Sequence, residues 1–286
     1  MIKLENVSYI YMQGGPFEKK ALDNVSLEIS SGEFIGIIGH TGSGKSTMIQ
    51  MLNGLIKPSR GRVIIDGDDL TDKKVKLRDI RFKVGLVMQY PEYQLFEETV
   101  LKDICFGPLN MGLSQDEAID RAKFAANMVG ISEDLLDKSP FDLSGGQKRR
   151  AAIAGVLAME PKILILDEPT AGLDPAGRDE ILSKIRDMHK RLDLTVLLVS
   201  HSMEDVARLA DRILVMNGGT VEMFDTPSKV FARSERLEEI GLSVPQITKV
   251  MDRLRSAGIE IEDGIYTTGD AYRVLLPLLR QVNKNA

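Results

Sequence analysis

The sequence has few of the features that mark secreted, membrane-spanning or nucleic-acid-binding proteins. Its 286 residues contain one cysteine, Cys105, which excludes an internal disulfide framework and is typical of a reducing cytoplasm. The longest apolar runs, such as residues 151–159, are far shorter than the roughly 18–20 residues of a membrane-spanning helix, and the N-terminus has no apolar signal-peptide region. The net charge of −5 argues against a DNA or RNA partner. We therefore expect a chain that neither spans a membrane nor is secreted, with Cys105 packed in its interior.

Strand and helix patterns alternate along most of the chain. Residues Ile2–Tyr11 and 21–29 alternate apolar with polar side chains, which predicts two strands at the edge of a sheet. The fully apolar run Phe34–Ile38 predicts a short buried strand, and residues 163–166 and Thr195–Val199 give two more buried-strand signals, each preceded by helix-like sequence. Such alternation predicts an α/β fold with a parallel central sheet.

Two further regions differ from this alternation. Residues from about 91 to 158 contain no strong strand run, and Gln115–Val129 has helical periodicity with Ser114 placed as its N-cap, so we expect an inserted helical subdomain. After a turn signal at 225–227 the chain is helical and charged, with a possible hairpin near 259–268. The predicted organisation is an α/β domain over 1–230 and a small C-terminal extension over 231–286.

A glycine-rich stretch follows the strand Phe34–Ile38. Residues 39–46 read GHTGSGKS and fit the phosphate-loop pattern G-x-x-x-x-G-K-[ST], with a helical pattern after them. The glycines let successive N–H groups converge on phosphate oxygens, while Lys45 adds a charge near the β and γ phosphates and Ser46 offers a hydroxyl to Mg²⁺. A chance glycine-rich turn would not need both flanking elements. The predicted nucleotide-binding residues are Gly39, His40, Thr41, Gly42, Ser43, Gly44, Lys45, Ser46 and Thr47.

Two carboxylates, Asp167 and Glu168, end the apolar run 163–166. On its own this pattern also suits a solvated acidic turn at a strand end. Beside a phosphate loop, Asp167 is expected to hold Mg²⁺ and Glu168 to polarise the attacking water, because phosphoryl transfer depends on positioning and charge stabilisation. The sequence therefore predicts hydrolysis of ATP as well as binding.

The sequence LSGGQ at residues 143–147 resembles the signature motif of ATP-binding cassette ATPases. Physically it is a second anion-binding site, because a serine hydroxyl and glycine N–H groups lie at the start of a helix. One chain needs only one such site per nucleotide. The resemblance implies a P-loop cassette fold in which the signature of one subunit closes over the nucleotide of its partner, so that two subunits pair head to tail. The signature residues expected to act in trans are Ser144, Gly145, Gly146 and Gln147.

Other motifs of that family occur in the expected order. Gln89 matches the Q-loop glutamine that touches Mg²⁺, and Asp174 lies in a match to the D-loop that runs along the partner. His201, just after Thr195–Val199, matches the switch histidine that contacts the γ-phosphate. Tyr11 is placed like the aromatic residue that stacks on adenine, with Tyr9 as the alternative.

The stretches QYPEYQLFEETV at 89–100 and FGPLNMG at 106–112 look like those of the energy-coupling factor transporter ATPases, which drive uptake of vitamins and metal ions. The insertion at 14–18 and the run 149–158 are similar to the second of the two paralogous ATPases in those transporters. The resemblance covers nearly the whole chain, and it implies that the extension adds contact between the two ATPases.

The resemblance also implies membrane partners. A transmembrane coupling subunit would dock in a groove lined by Glu92, Gln94 and Phe96, a further membrane subunit would bind the transported substrate, and the chain would be peripheral on the cytoplasmic face. The other ATPase would be a paralogue or a second copy of this chain. Three alternatives remain: the ATPase of a conventional importer or exporter, a soluble cassette protein acting on ribosomes or DNA, and a regulatory cassette that binds ATP without hydrolysing it.

Overall fold

A six-stranded sheet forms the centre of the computed structural model, which describes residues 1–282, with side chains up to residue 278. Its strands are β3 (Phe34–Ile38), β6 (Val84–Val87), β7 (Ile163–Asp167), β8 (Thr195–Val199), β9 (Arg212–Asn217) and β10 (Thr220–Asp225). Five of them are parallel in the order β9, β3, β8, β7, β6, and β10 is antiparallel to β9 at one edge. The side chains of β3 and β8 are buried throughout, as expected of parallel strands covered on both faces.

A second, antiparallel sheet packs over one face of the central sheet. The elements of this layer are β1 (Ile2–Tyr11), β2 (Lys19–Ile29), α1 (Lys45–Leu52), β4 (Arg60–Ile65), β5 (Asp68–Asp69) and α2 (Leu77–Lys83). The strand order is β2, β1, β4, β5, and the apolar side chains of this sheet share one hydrophobic core with α1 and β3. Because β3 runs directly into the loop before α1, the phosphate loop lies between two elements that are held by the same core.

The helical insertion lies between β6 and β7. It consists of α3 (Val100–Met111), α4 (Gln115–Val129) and α5 (Gly145–Leu157), with short 3₁₀ turns at Pro91–Gln94, Glu133–Leu135 and Pro140–Asp142. Small buried residues such as Ala118, Ala122 and Ala125 let α4 approach its neighbours closely. Ser114 caps α4 through a capping box with Glu117, and Cys105 is buried in the same core.

Two helices return the chain to the central sheet. They are α6 (Pro175–Leu192), between β7 and β8, and α7 (Met203–Leu209), between β8 and β9. Such βαβ connections are the usual way to join parallel strands. They place the carboxyl ends of β3, β7 and β8 at one edge of the sheet, where the polar residues that follow each strand meet.

The C-terminal part has four helices: α8 (Pro227–Phe231), α9 (Ser234–Glu239), α10 (Gln246–Ser256) and α11 (Thr268–Val282). Phe231 and Leu237 are fully buried against β9 and β10, whereas Met251, Ile265 and Ala271 form a separate small cluster between α10 and α11. A boundary near residue 230 stays a prediction, since apolar side chains on both sides of it share one core.

The α/β fold with an inserted helical subdomain is confirmed, but the expected hairpin near 259–268 is wrong. No strand forms there in the described chain, because side chains of α10 take the carbonyls that a strand partner would use. Arg255 donates to the carbonyl oxygen of Ile261, and Thr248 donates to that of Ile265 at 3.0 Å. No helix within residues 1–282 combines the length and apolar content needed to cross a bilayer.

Candidate active site

The phosphate loop joins β3 to α1 at the carboxyl edge of the central sheet. Gly42 and Gly44 have φ values of +83° and +104°, in the left-handed region where glycine is favoured, and a side chain at Gly42 would meet nothing within 4 Å. The loop therefore curls around open space at the start of a helix, as an anion cradle requires. Lys45 Nζ donates to the carbonyl oxygen of Gly39 at 2.5 Å and to that of His40 at 3.1 Å, so it spans the mouth of the loop.

Asp167 and Glu168 lie across this cradle, at the end of β7. Glu168 has a φ of +49°, a strained conformation for a non-glycine residue, and its N–H donates to the carbonyl oxygen of Val199 at 3.0 Å. His201 follows β8, and its Nε2 lies 3.5 Å from Glu168 Oε1. The fold therefore brings the acidic pair and the histidine together, as the sequence predicted.

The electrostatics of this group are set by burial. Burial, followed by the negative charge of Asp167, raises the pKa of Glu168 to about 7. Burial also raises the pKa of Asp167 and lowers those of Lys45 and His201. Each shift disfavours the charged form, which is the expected effect of burial in a cleft. Strongly perturbed carboxylates in a cleft are typical of functional sites.

These residues line one cleft of about 490 Å³, large enough for a nucleotide. Tyr11 is 39% exposed at its rim, with its hydroxyl 3.1 Å from Thr47 Oγ1, whereas Tyr9 packs against the core. Of the two tyrosines, Tyr11 is therefore the one available to a base. Three further lining residues, Lys19, Ala21 and Val199, were not predicted, because nothing in the local sequence of β2 or at the end of β8 marks them. The predicted residues that line the cleft are Tyr11, Thr41, Gly42, Gly44, Lys45, Ser46, Thr47, Gln89, Asp167, Glu168 and His201.

Three predicted nucleotide residues do not line the cleft. Gly39 and Ser43 are buried beneath the loop, where a side chain on Gly39 would meet Ser43 Oγ at 2.5 Å. His40 turns to the opposite side, where its Nε2 lies 3.2 Å from Asn217 Oδ1. These three residues therefore support the phosphate loop on the side that does not line the cleft.

The three side chains that the sequence predicts to hold a metal ion at this cleft all offer oxygen ligands. Ser46 offers a hydroxyl, Gln89 an amide oxygen and Asp167 a carboxylate, and all three line the same cleft. Glu168 Oε1 is buried without a hydrogen-bond partner. Hard cations such as Mg²⁺ prefer oxygen ligands and need few of them from the protein, so this set fits Mg²⁺.

The signature residues lie elsewhere. Ser144 caps α5, accepting from the N–H of Gln147 at 3.3 Å while its own N–H donates to Gln147 Oε1 at 2.9 Å. Side chains built on Gly145 and Gly146 would meet nothing within 4 Å, so this helix start is open. None of these four residues lines the described cleft of their own chain. The chain therefore presents a second anion-binding helix start that its own nucleotide cleft does not use.

A buried arginine, which the motif search missed, connects the elements around this second site. Arg149 of α5 is 3% exposed and forms a bidentate pair with Glu92, with distances of 2.7 and 3.1 Å. Its Nη1 also donates to the carbonyl oxygens of Pro169 at 3.2 Å and Ala171 at 2.6 Å. One side chain thus holds the 3₁₀ turn after Gln89, the signature helix and the segment after Glu168.

This pairing changes the expected groove. Glu92 is turned inward toward Arg149, because both of its carboxylate oxygens are engaged there. Gln94 is exposed, and Phe96 is 58% exposed and packs edge-on against Phe106 at 5.0 Å between ring centroids. Of the three groove residues, only Gln94 and Phe96 therefore face outward.

The D-loop begins α6. Asp174 is exposed and caps the helix by accepting from the N–H of Gly177 at 3.0 Å. One turn further on, Arg178 pairs with the buried carboxylate of Asp205 at 2.9 Å and donates to Ser202, the residue after His201. The D-loop helix is therefore tied to the segment that carries His201.

A second cleft, of about 590 Å³, lies at the opposite edge of the sheet, near the start of β7. Glu160 already pairs with Arg121, and Asp66 pairs with both the N-terminal amine and Lys162. These partners lower the pKa of Asp66 to about 2, with Lys162 the largest cause. The cleft therefore lacks the free phosphate-binding groups found at the phosphate loop.

Comparison with known proteins gives a consistent result. The family model described as ABC transporter matches residues 22–171. The energy-coupling factor transporter ATP-binding protein EcfA2 of Caldanaerobacter subterraneus subsp. tengcongensis is 60% identical over 279 residues, covering 98% of each chain. The protein of the same name from Clostridium tetani is 59% identical over 285 residues, covering 99% of each chain.

Solved structures agree. CbiO1 of Clostridium perfringens, described as part of the ABC transporter complex cbiONQ, superposes with a TM-score of 0.75 at 41% identity and covers 88% of this chain and 98% of its own. The ATP-binding cassette MJ0796, in a dimeric post-hydrolysis state with ADP and Pi, superposes with a TM-score of 0.70 at 36% identity, covering 79% of this chain and 98% of its own.

Proposed function

Because this chain belongs to the ATP-binding cassette family, among the energy-coupling factor transporter ATP-binding proteins, we propose that it hydrolyses ATP to power uptake of vitamins or metal ions through a membrane partner. The observation that carries the proposal is the separation of its two phosphate-binding helix starts. One faces a cleft with Lys45, Glu168 and His201, and the other, at Ser144, is not part of that cleft. A complete site then takes one helix start from each of two subunits.

Nucleotide binding follows from the cleft. The N–H groups of residues 42–46 and the positive end of α1 attract the β-phosphate, and Lys45 can exchange its contacts with loop carbonyls for phosphate oxygens. We assign Tyr11 to the adenine, since its ring lies at the rim and is oriented by Thr47. Ser46, Gln89 and Asp167 would hold a magnesium ion, which supplies charge neutralisation for the phosphates.

Hydrolysis depends on Glu168. Its ionised form accepts a proton from, or orients, the water that attacks the γ-phosphate, while His201 lies 3.5 Å from it and can fix its orientation. The raised pKa of Glu168, at about 7, is suited to proton transfer near neutral pH. Phosphate charges bound in the cleft would also stabilise the protonated cationic form of His201.

The partner in the sandwich is a cassette ATPase, and we infer a paralogue rather than a second copy from the relatives named EcfA2. The open helix start at Ser144 would bind the partner's nucleotide, with Asp174 along the same face. Support comes from the dimeric state of the MJ0796 cassette, whose fold this chain shares. The extension after residue 230 would add to this contact.

We further propose that a transmembrane coupling subunit docks beside Gln94 and Phe96, that another membrane subunit binds the transported substrate, and that the chain is peripheral on the cytoplasmic face of the membrane. The exposed aromatic surface there supports this, since Tyr93 is 85% exposed and Phe96 58%. Arg149 and Glu92 lie directly beneath this surface. A movement caused by docking can therefore be transmitted to the segment after Glu168 through the hydrogen bonds of Arg149.

Co-purification tests the proposal. The tagged chain, drawn from detergent-solubilised membranes, is expected to carry a paralogous cassette ATPase and integral membrane proteins. Phe96→Asp should lose the membrane proteins and keep the paralogue. Phe124→Asp is the matched control, because Phe124 is 51% exposed in the same helical subdomain but far from the groove. If the wild-type chain brings down no membrane protein, the transporter assignment is wrong.

A further inference from the structure

His40 holds the back of the phosphate loop against the central sheet. Its Nδ1 lies 2.9 Å from the carbonyl oxygen of Thr41, and its Nε2 lies 3.2 Å from Oδ1 of Asn217, the last residue of β9. The ring therefore joins the loop to the β9–β10 hairpin on the side away from the cleft.

The polar contacts continue from Asn217 into the C-terminal helices. Asn217 Nδ2 donates to Glu222 Oε2 at 3.0 Å, and Arg236 of α9 donates from Nε to Glu222 Oε1 at 2.7 Å. The Arg236 hydrogen bond, with the Asn217 bond next, lowers the pKa of Glu222, which is therefore a carboxylate. Arg236 is itself held by Glu239 at 3.0 Å.

This arrangement fixes the direction of the hydrogen bonds that lead from Arg236 to His40. A carboxylate only accepts, so Asn217 must present its NH₂ group to Glu222 and its Oδ1 to His40. An amide oxygen also only accepts, so the facing His40 nitrogen donates. Removing Arg236 or the charge of Glu222 releases Asn217 to rotate, and the contact with His40 then loses its orientation.

The backbone of the β9–β10 hairpin packs tightly against the phosphate loop. The N–H of Gly219 donates to the carbonyl oxygen of Ser43 at 3.0 Å. A side chain on Gly39 would meet the carbonyl oxygen of Met216 at 2.4 Å. A shift of the hairpin is therefore passed to the phosphate loop, because close-packed interiors transmit displacement.

We propose that Arg236 is a positioning residue for the phosphate loop, through which the C-terminal extension sets the affinity of the chain for adenine nucleotides. Arg236 acts through Glu222, Asn217 and His40 and touches no nucleotide. The inference rests on the proposed ATP-binding function of the loop and adds a site of control outside the cleft.

The expected effect is modest. Arg236 is 47% exposed and Glu222 19%, so the pair is partly screened by solvent. A partly exposed ion pair of this kind corresponds to about a two- to fivefold change in a dissociation constant. Because the phosphate loop holds the β-phosphate, ATP and ADP should be affected alike.

The test is calorimetric titration of the purified full chain with ATP and with ADP. Arg236→Ala and Glu222→Gln should each raise both dissociation constants about two- to fivefold. Arg236→Lys keeps a cation beside Glu222 and should stay within about twofold of wild type. Arg253→Ala, an exposed arginine of α10 outside this chain of contacts, is the matched control and should bind like wild type.

A double-mutant cycle distinguishes an effect of Arg236 through Asn217 from a general destabilisation of α9. If Arg236 acts through Asn217, adding Arg236→Ala to Asn217→Ala should change the affinity no further. Full additivity of the two effects would overturn the proposal, as would variants that bind both nucleotides as tightly as wild type. A wild-type chain that binds no ATP would instead overturn the proposed function itself.

Discussion

Glu168 should reduce the stability of the nucleotide-free chain at the pH at which it works. Its side chain is 13% exposed, its Oε1 has no hydrogen-bond partner, and it lies beside Asp167. These surroundings raise its pKa from 4.5 to about 7, so the folded protein holds a proton there that the unfolded chain releases. The free energy of unfolding must therefore fall as pH rises from about 4.5 through 7.

The size of this effect follows from the shift. A change from 4.5 to about 7 is roughly 2.5 pH units, which corresponds to about 3 kcal/mol at pH 8 and to nothing below pH 4.5. Glu168→Gln removes the titration, because glutamine stays neutral. The variant should therefore have a free energy of unfolding that exceeds that of wild type by up to about 3 kcal/mol at pH 8. At pH 5 most of this advantage of the variant over wild type should be absent.

Urea denaturation of the nucleotide-free chain, followed by circular dichroism at several pH values, measures this difference. Glu235→Gln, at an exposed position of α9, is the matched control and should follow the wild-type curve at every pH. Equal pH dependence of stability in wild type and Glu168→Gln would refute the reasoning, because it would show that the carboxylate is not desolvated.

Two further results are expected. For ATP hydrolysis, kcat/KM should fall about tenfold per pH unit below about 7, because Glu168 must be ionised to accept a proton; a pH–rate profile flat between pH 5.5 and 8 would contradict this. Arg149→Met should lower the free energy of unfolding by about 3–5 kcal/mol, because it leaves Glu92 buried without its cation, and Glu92→Gln in the same chain should restore part of it. Urea denaturation of the single and double variants measures this coupling, and simple additivity would contradict it.

Local sequence was sufficient for the parts of the site that one segment builds. The phosphate loop, the acidic end of β7 and the capping serine of α5 follow from residue types at short spacing, and each lies where the pattern predicted. Strand limits were also close, because buried parallel strands appear as short apolar runs. The roles proposed for these residues remain predictions, which the experiments above address.

Contacts between distant segments could not be predicted in this way. The pairing of Glu92 with Arg149 joins residues far apart in the chain, and nothing near Glu92 indicates that it turns inward. His40 was expected at the nucleotide because of its place in the motif, yet Asn217 holds it on the other side of the loop. The prediction of a hairpin near 259–268 was wrong for the same reason, since Arg255 and Thr248 of α10 donate hydrogen bonds to backbone carbonyl oxygens of that segment.

The central claim is that this chain hydrolyses ATP through Glu168 in a site shared with a partner ATPase. Its most direct test is single-turnover hydrolysis in the complex purified with the tagged chain, comparing wild type with Glu168→Gln. The variant should retain ATP unhydrolysed at the site that contains Lys45 and keep the two ATPases together, with turnover at that site reduced at least about a hundredfold. Turnover of ATP there at the wild-type rate would contradict the account.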